Sequence, residues 1–131
     1  VLSHTTVGTN DIDRAIAFYD RVLAPLGITR HETDLKHGLA GYFTAPETTP
    51  SFWVTHPLDG QAAIIGNGVT IAFEAPDRAT VDGVHQVMLD AGGTNEGAPG
   101  LRPHYHADYY GAYARDPDGN KICCVCHRPP A

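Results

Sequence analysis

Cysteine, methionine and tryptophan are scarce in this chain, at three, one and one residues. The cysteines Cys123, Cys124 and Cys126 crowd a single segment. Neighbouring strand positions point to opposite faces, and i,i+2 positions lie ~6.5–7 Å apart, beyond disulfide reach. Reduced thiols and a cytoplasmic location are therefore expected. Positive charge is also short: 9 Lys and Arg face 15 Asp and Glu, a formal charge of -6. That balance argues against nucleic acid or an anionic membrane surface as the partner and suits a neutral or cationic small ligand. No apolar run is long enough to span a bilayer, and the opening residues lack a charged-then-apolar targeting pattern. With 131 residues, 42% of them hydrophobic, the chain reads as one globular domain able to bury its own core.

What is present is one short plan, run twice. A strand at His4 to Thr9 leads to Asp13-Arg14-Ala15, and a second at Val69 to Glu74 leads to Asp77-Arg78-Ala79. After the first, Ile12, Ala15, Ile16, Tyr19, Val22, Leu23 and Leu26 recur at helical spacing, with Asn10 or Asp11 as cap and Pro25 and Gly27 at the exit. After the second, Val81, Val84, Val87, Met88 and Ala91 repeat the pattern before Gly92-Gly93. His85 falls within this helix at a phase expected to face solvent. Ile28 to Asp34 and Leu39 to Thr44 form a hairpin, and Ser51 to His56 follows as a third strand. In the second opening strand Val69, Ile71 and Phe73 make an apolar face for the helices. Thr70, Ala72 and Glu74 make the opposite one.

Near the end, Asp116-Pro117-Asp118-Gly119 places turn formers where a three-residue hairpin loop needs them, pairing Asp116 with Asn120. Counting outward sets Tyr113 opposite Cys123, Gly111 opposite Val125 and Tyr109 opposite His127; Arg115 falls one off Lys121. The prediction is an α+β fold of two βαβββ modules, residues 1–56 and 69–131, joined by an irregular linker at 57–68.

Several stretches resemble the vicinal oxygen chelate superfamily of glyoxalases, bleomycin resistance proteins, extradiol dioxygenases and thiol transferases. They are His4 with Asp11-Ile12-Asp13-Arg14-Ala15-Ile16-Ala17-Phe18-Tyr19-Asp20, Leu23 and Leu26-Gly27; Ile71-Ala72-Phe73; Ala98-Pro99-Gly100-Leu101-Arg102-Pro103; Tyr109-Tyr110-Gly111-Ala112; and Arg115-Asp116-Pro117-Asp118-Gly119-Asn120-Lys121-Ile122. The likeness covers nearly the whole chain and is greatest to small bacterial glyoxalase-like members. It implies a single domain, 1–131, whose eight strands curl into an open mixed sheet around a cup. It also implies a divalent metal at the cup's floor in catalytic members, and a homodimer.

Carried onto this sequence, the metal positions of the resemblance are His4, Thr70 and Cys123, where His, His and Glu are usual. A hydroxyl is a feeble donor, and a thiol shifts preference toward softer ions such as Zn. His4 and Cys123 are thus either the remains of a site for Zn, Ni, Mn or Fe, or a hydrogen-bonded histidine and a small apolar filler. A cationic neighbour such as Lys121 would lower the Cys123 thiol. His56 and His127 are expected at the surface or at edges. Cys124-x-Cys126-His127 lacks the second ligand pair of a zinc finger.

The densest polar-aromatic cluster is Arg102, His104, Tyr105, His106, Tyr109, Tyr110 and Tyr113. Such a segment reads as a loop over a cavity, with His104, His106 and Tyr113 as acid-base groups and the others, with Thr70 and Glu74, as ligand-lining residues. The bland alternative is that the cluster packs a loop and that Glu74 is a solvated strand end. Two functions follow: a protein that binds a small organic molecule with a degenerate metal site and no cofactor, or a metal-dependent lyase, isomerase or dioxygenase.

Overall fold

The computed structural model describes residues 1–130. Eight strands and two helices run in the order β1 (His4–Gly8), α1 (Ile12–Leu23), β2 (Thr29–Asp34), β3 (Leu39–Phe43), β4 (Ser51–Thr55), β5 (Ile71–Glu74), α2 (Arg78–Asp90), β6 (Thr94–Leu101), β7 (Tyr110–Arg115) and β8 (Lys121–Cys126). Hydrogen bonding divides the strands into two mixed sheets, β1-β4-β3-β2 and β5-β8-β7-β6. In each, the opening strand pairs in parallel with the last strand of its own module.

Local chemistry explains both helices. Asp11 accepts the Arg14 N–H at 3.1 Å and caps α1, leaving Asn10 outside. Ile12, Ala15, Phe18, Tyr19, Val22 and Leu23 are buried along one side. A 3-10 turn at Ala24–Leu26 follows, and Gly27 (φ 72°) ends it by donating its N–H to the Ala24 carbonyl. Asp77 caps α2 through the Thr80 N–H at 2.7 Å, and Gly92 (φ 107°) stops it where a side chain would be strained.

The helices press on one face of each sheet. Phe52, Tyr42, Val54 and Ala40 of the first sheet join Phe73, Ile122, Cys124, Ala112 and Ala114 of the second in one core with Tyr19, Val22, Val81 and Met88. The Phe52 and Phe73 rings meet edge-on at 5.1 Å. Each such side chain contributes ~1.5–3 kcal/mol on burial. His85 departs from expectation. It is only 5% exposed because its Nε2 bonds Asn95 Oδ1 at 3.0 Å across to β6, which satisfies the ring inside the helix–sheet contact. Val69 and Thr70 lie before β5 rather than in it. All three cysteines are free and buried.

The modules are tied by the β7–β8 turn. Gly119 (φ 93°) closes it, and Arg115 pairs directly with Lys121 rather than one position off. Asp118, whose side chain is 3% exposed, reaches the other module. It accepts the Thr9 hydroxyl at 2.5 Å, the Asn10 N–H at 2.9 Å and Arg14 Nη2 at 2.9 Å. Asp116, 4% exposed, accepts the Tyr19 hydroxyl at 2.5 Å and the N–H groups of Asp118 and Asn120. Asn120 Nδ2 then donates to the Gly8 carbonyl.

Asp118→Ala is expected to lower unfolding free energy by about 3 kcal/mol, because three donors lose a charged acceptor. Urea denaturation measures this, and a loss under about 1 kcal/mol would refute the clamp's importance. Burial raises the Tyr19 phenol, helped by Asp116, and also raises Tyr42 beside Asp20. An unfolded phenol releases its proton near about pH 10. The folded chain holds these protons to higher pH, so stability is whole below that pH. It falls above it, by up to about 1.4 kcal/mol per pH unit for each phenol. Denaturation midpoints at pH 8, 10 and 11 should decline, less steeply in Tyr19→Phe; a flat profile contradicts the assignment.

Candidate functional site

Strand alternation gives each sheet a second face, turned away from the helices. On the first sheet it carries His4, Thr6, Ser51, Trp53, Thr55 and Leu39, which with Leu58 border an open hollow of about 410 Å³. Trp53 lies across Gly41, where a Cβ would stand 2.5 Å from the indole. His4 is exposed, its Nδ1 3.0 Å from the Ser3 hydroxyl, rather than bonded to a neighbouring strand.

On the second sheet the equivalent face carries the row Ala72, Cys123 and Tyr113, as the expected pairing requires. Tyr109 folds back over Gly111, and a Cβ there would meet the ring at 2.9 Å. Its hydroxyl then sits 2.7 Å from the Tyr113 hydroxyl and 3.8 Å from Cys123 Sγ. Arg102 Nη1 donates to the Gly100 carbonyl and Nη2 to Ala98, both at 2.9 Å, with Gly97 making room. The guanidinium is 5.7 Å from the Tyr113 ring centre, and Lys121 Nζ is 5.3 Å from it. His104 packs on Tyr105, Tyr105 on Tyr109, and His106 beside Tyr109. Tyr110 alone turns away: its hydroxyl donates to Asp82 on α2, and Arg78 lies over its ring.

Burial decides the electrostatics of this face. It pushes the Cys123 thiol up, outweighing the hydroxyls of Tyr109 and Tyr113 and the more distant Arg102 that favour thiolate. The conditional lowering by a cation such as Lys121 is thus not met, and the thiol is buried and neutral. The Tyr109 and Tyr113 phenols are raised too, by burial first. Cys124 on the core side is pushed up to about 12. The result is a neutral thiol roofed by two neutral phenols.

A third space lies between the modules. A cavity of about 510 Å³ is walled by Ile28, Tyr42, Phe52, Ile71 and Phe73, with Thr5, Thr44, Thr49, Ser51, Thr70 and Glu74 at its polar points. Its size and apolar lining are those of a small-ligand site. Thr70 and Glu74 thus meet here, His4 faces the first hollow, and the tyrosine cluster covers Cys123. The sequence reading missed the core-side walls Tyr42 and Phe52, which carried no polar signal.

The sequence model of the glyoxalase/bleomycin resistance protein/dioxygenase superfamily matches residues 1–124. The chain belongs to this superfamily. It is similar to the structure of a glyoxalase/bleomycin resistance protein from Albidiferax ferrireducens, at 40% identity, a TM-score of 0.85 and 98% coverage of both chains. A glyoxalase-related enzyme from Fulvimarina pelagi (16% identity, TM-score 0.74, covering 96% of this chain and 87% of that one) shares the fold. So does a lactoylglutathione lyase from Agrobacterium tumefaciens (21%, TM-score 0.67, 96% and 92%). No curated protein matches the sequence significantly.

A divalent metal of the kind the superfamily resemblance implies does not fit these residues. His4 lines the hollow on the first sheet, Thr70 offers a hydroxyl to the separate cavity between the modules, and the Cys123 thiol is held neutral under phenols. Among the described residues, no group of three or more His, Cys, Asp or Glu side chains is placed to hold a metal ion. No helix among them is long and apolar enough to cross a membrane.

Gly111→Ala is expected to lift Tyr109 off the strand and speed Cys123 alkylation by iodoacetamide about tenfold at fixed pH, since one lost buried contact of about 1.4 kcal/mol is a factor of ten. An unchanged rate would mean that the tyrosine roof does not protect the thiol.

Proposed function

We propose that this protein binds a small organic molecule in the cavity between its modules, without a metal ion. The observation that carries the reading is the cavity itself. About 510 Å³ of space is walled largely by aromatic and aliphatic side chains, with Glu74, Ser51 and four threonines as its polar points. A ligand there gains apolar burial against Phe52, Phe73 and Ile71, and the hydroxyls orient it. No basic side chain lines the space, so a neutral or cationic ligand suits it better than an anion.

In this reading Cys123, Tyr109 and Tyr113 close the place where a metal ion would otherwise be held. Their network fills the outer face instead of presenting donors to it. The protein acts as a homodimer, for which the exposed apolar side chains Leu58, Ile64 and Val69 offer contact area.

The test is a thermal-shift and equilibrium-dialysis screen of small neutral and amine-bearing aromatics against chelator-stripped protein. Binding is expected to persist in EDTA and to fall at least about tenfold in Thr70→Trp, whose indole would occupy the cavity. Binding that needs added Zn, Ni, Mn or Fe(II), or that ignores Thr70→Trp, would defeat the proposal.

A further inference from the structure

The loop between β6 and β7 ends in a chain of hydrogen bonds that the binding reading does not use. Asp108 N–H donates to His106 Nδ1 at 3.1 Å, so that nitrogen bears no proton. The proton of neutral His106 is therefore on Nε2, which lies 2.9 Å from His127 Nδ1 just beyond β8. His127 Nδ1 accepts it and carries its own proton on Nε2. The two rings lie 27° from parallel, with centres 5.2 Å apart. Both tautomers are set by one backbone N–H.

This arrangement does not suit a metal chelate. A metal ion on His106 Nε2 needs the proton on Nδ1, where it would face the Asp108 N–H. It suits only two neutral rings. Protonation of His106 adds a hydrogen at Nδ1 against the Asp108 N–H. Protonation of His127 adds one at Nδ1 against the His106 Nε2–H. Either event sets donor against donor.

We infer that the His106–His127 bond is an acid-released latch, which holds the Arg102–Tyr109 loop over the tyrosine roof of Cys123 and lets it go when either ring is protonated. Tyr109 couples the latch to that roof. Its ring lies 5.6 Å from His106 and 5.4 Å from His127, and its hydroxyl reaches Tyr113 and Cys123. At the loop's base, the Arg102 N–H donates to the Tyr109 carbonyl at 2.8 Å, which gives the opening a hinge.

The charged neighbours leave this balance in place. The Asp108 carboxylate is 3.6 Å from Arg78, a guanidinium that partly neutralises it against a new imidazolium. Arg128 follows His127 in sequence and adds positive charge, with its N–H given to Cys126 Sγ. His104 packs at a tilt on Tyr105 along the same loop, and Tyr105 in turn on Tyr109, whose phenol burial holds neutral. Among the described residues no carboxylate bonds a ring of this pair; Asp108 reaches His106 through its backbone N–H alone.

Amide hydrogen exchange on the full chain, corrected for intrinsic rates, tests the latch between pH 8 and pH 5. Protection at Asp108, Tyr109 and Arg102 should fall about tenfold from the higher to the lower of these pH values, the range in which histidine serves as a switch. The β7–β8 ladder amides should hold theirs and report an intact fold. His127→Phe keeps the ring but not the acceptor, so its loop should be weakly protected at both pH values; His106→Phe should match it. Flat loop protection in the wild-type chain, or a wild-type pH response in either variant, would overturn the inference.

Discussion

Two nearly buried carboxylates on one tight turn hold the protein together. Asp116 and Asp118 belong to the second module by sequence, yet their oxygens satisfy Tyr19, Thr9, Asn10 and Arg14 of the first. Apolar packing alone does not set the angle between two modules, because it is non-directional. Short charge-assisted bonds do set it. The position of α1 against the second sheet, the meeting of Phe52 with Phe73 and the cavity beside them all follow from where this turn lands.

Much of this was legible in the sequence because the signals were local. Helical spacing from Ile12 to Leu23, the cap Asp11, and the stops at Gly27 and Gly92 each act within a few residues. The turn at Asp116 to Asn120 fixed the register that brings Tyr113 opposite Cys123. What was not legible depends on long-range pairing. His85 sits at a phase that favours solvent in an isolated helix, but Asn95 on β6 supplies a buried partner. The sequence left Cys123 as either a small apolar filler or a thiol lowered by a cation such as Lys121. Burial beneath Tyr109 and Tyr113, which no spacing rule reveals, reverses the sign. The cavity walls Tyr42 and Phe52 read as ordinary core.

The two outer faces are built alike and finished differently. Each uses a glycine on a central strand, Gly41 or Gly111, so that an aromatic ring can lie flat across the sheet. On the first sheet Trp53 leaves an open hollow beside His4. On the second, Tyr109 reaches Tyr113 and closes over Cys123, with Arg102 pinned to backbone carbonyls below. Polar groups that bond one another so fully have little left to offer a cation. Space remains in the hollow at His4 and in the crevice between the modules.

The most direct measurement is a crystal structure of protein purified without chelator or affinity tag, in which both a co-purified molecule and any bound metal would be visible. The account predicts organic density against Phe52 and Phe73 and an undisturbed Tyr109–Tyr113 pair over Cys123. A metal ion coordinated by Cys123 or His4, with the tyrosine pair parted to admit it, would contradict it.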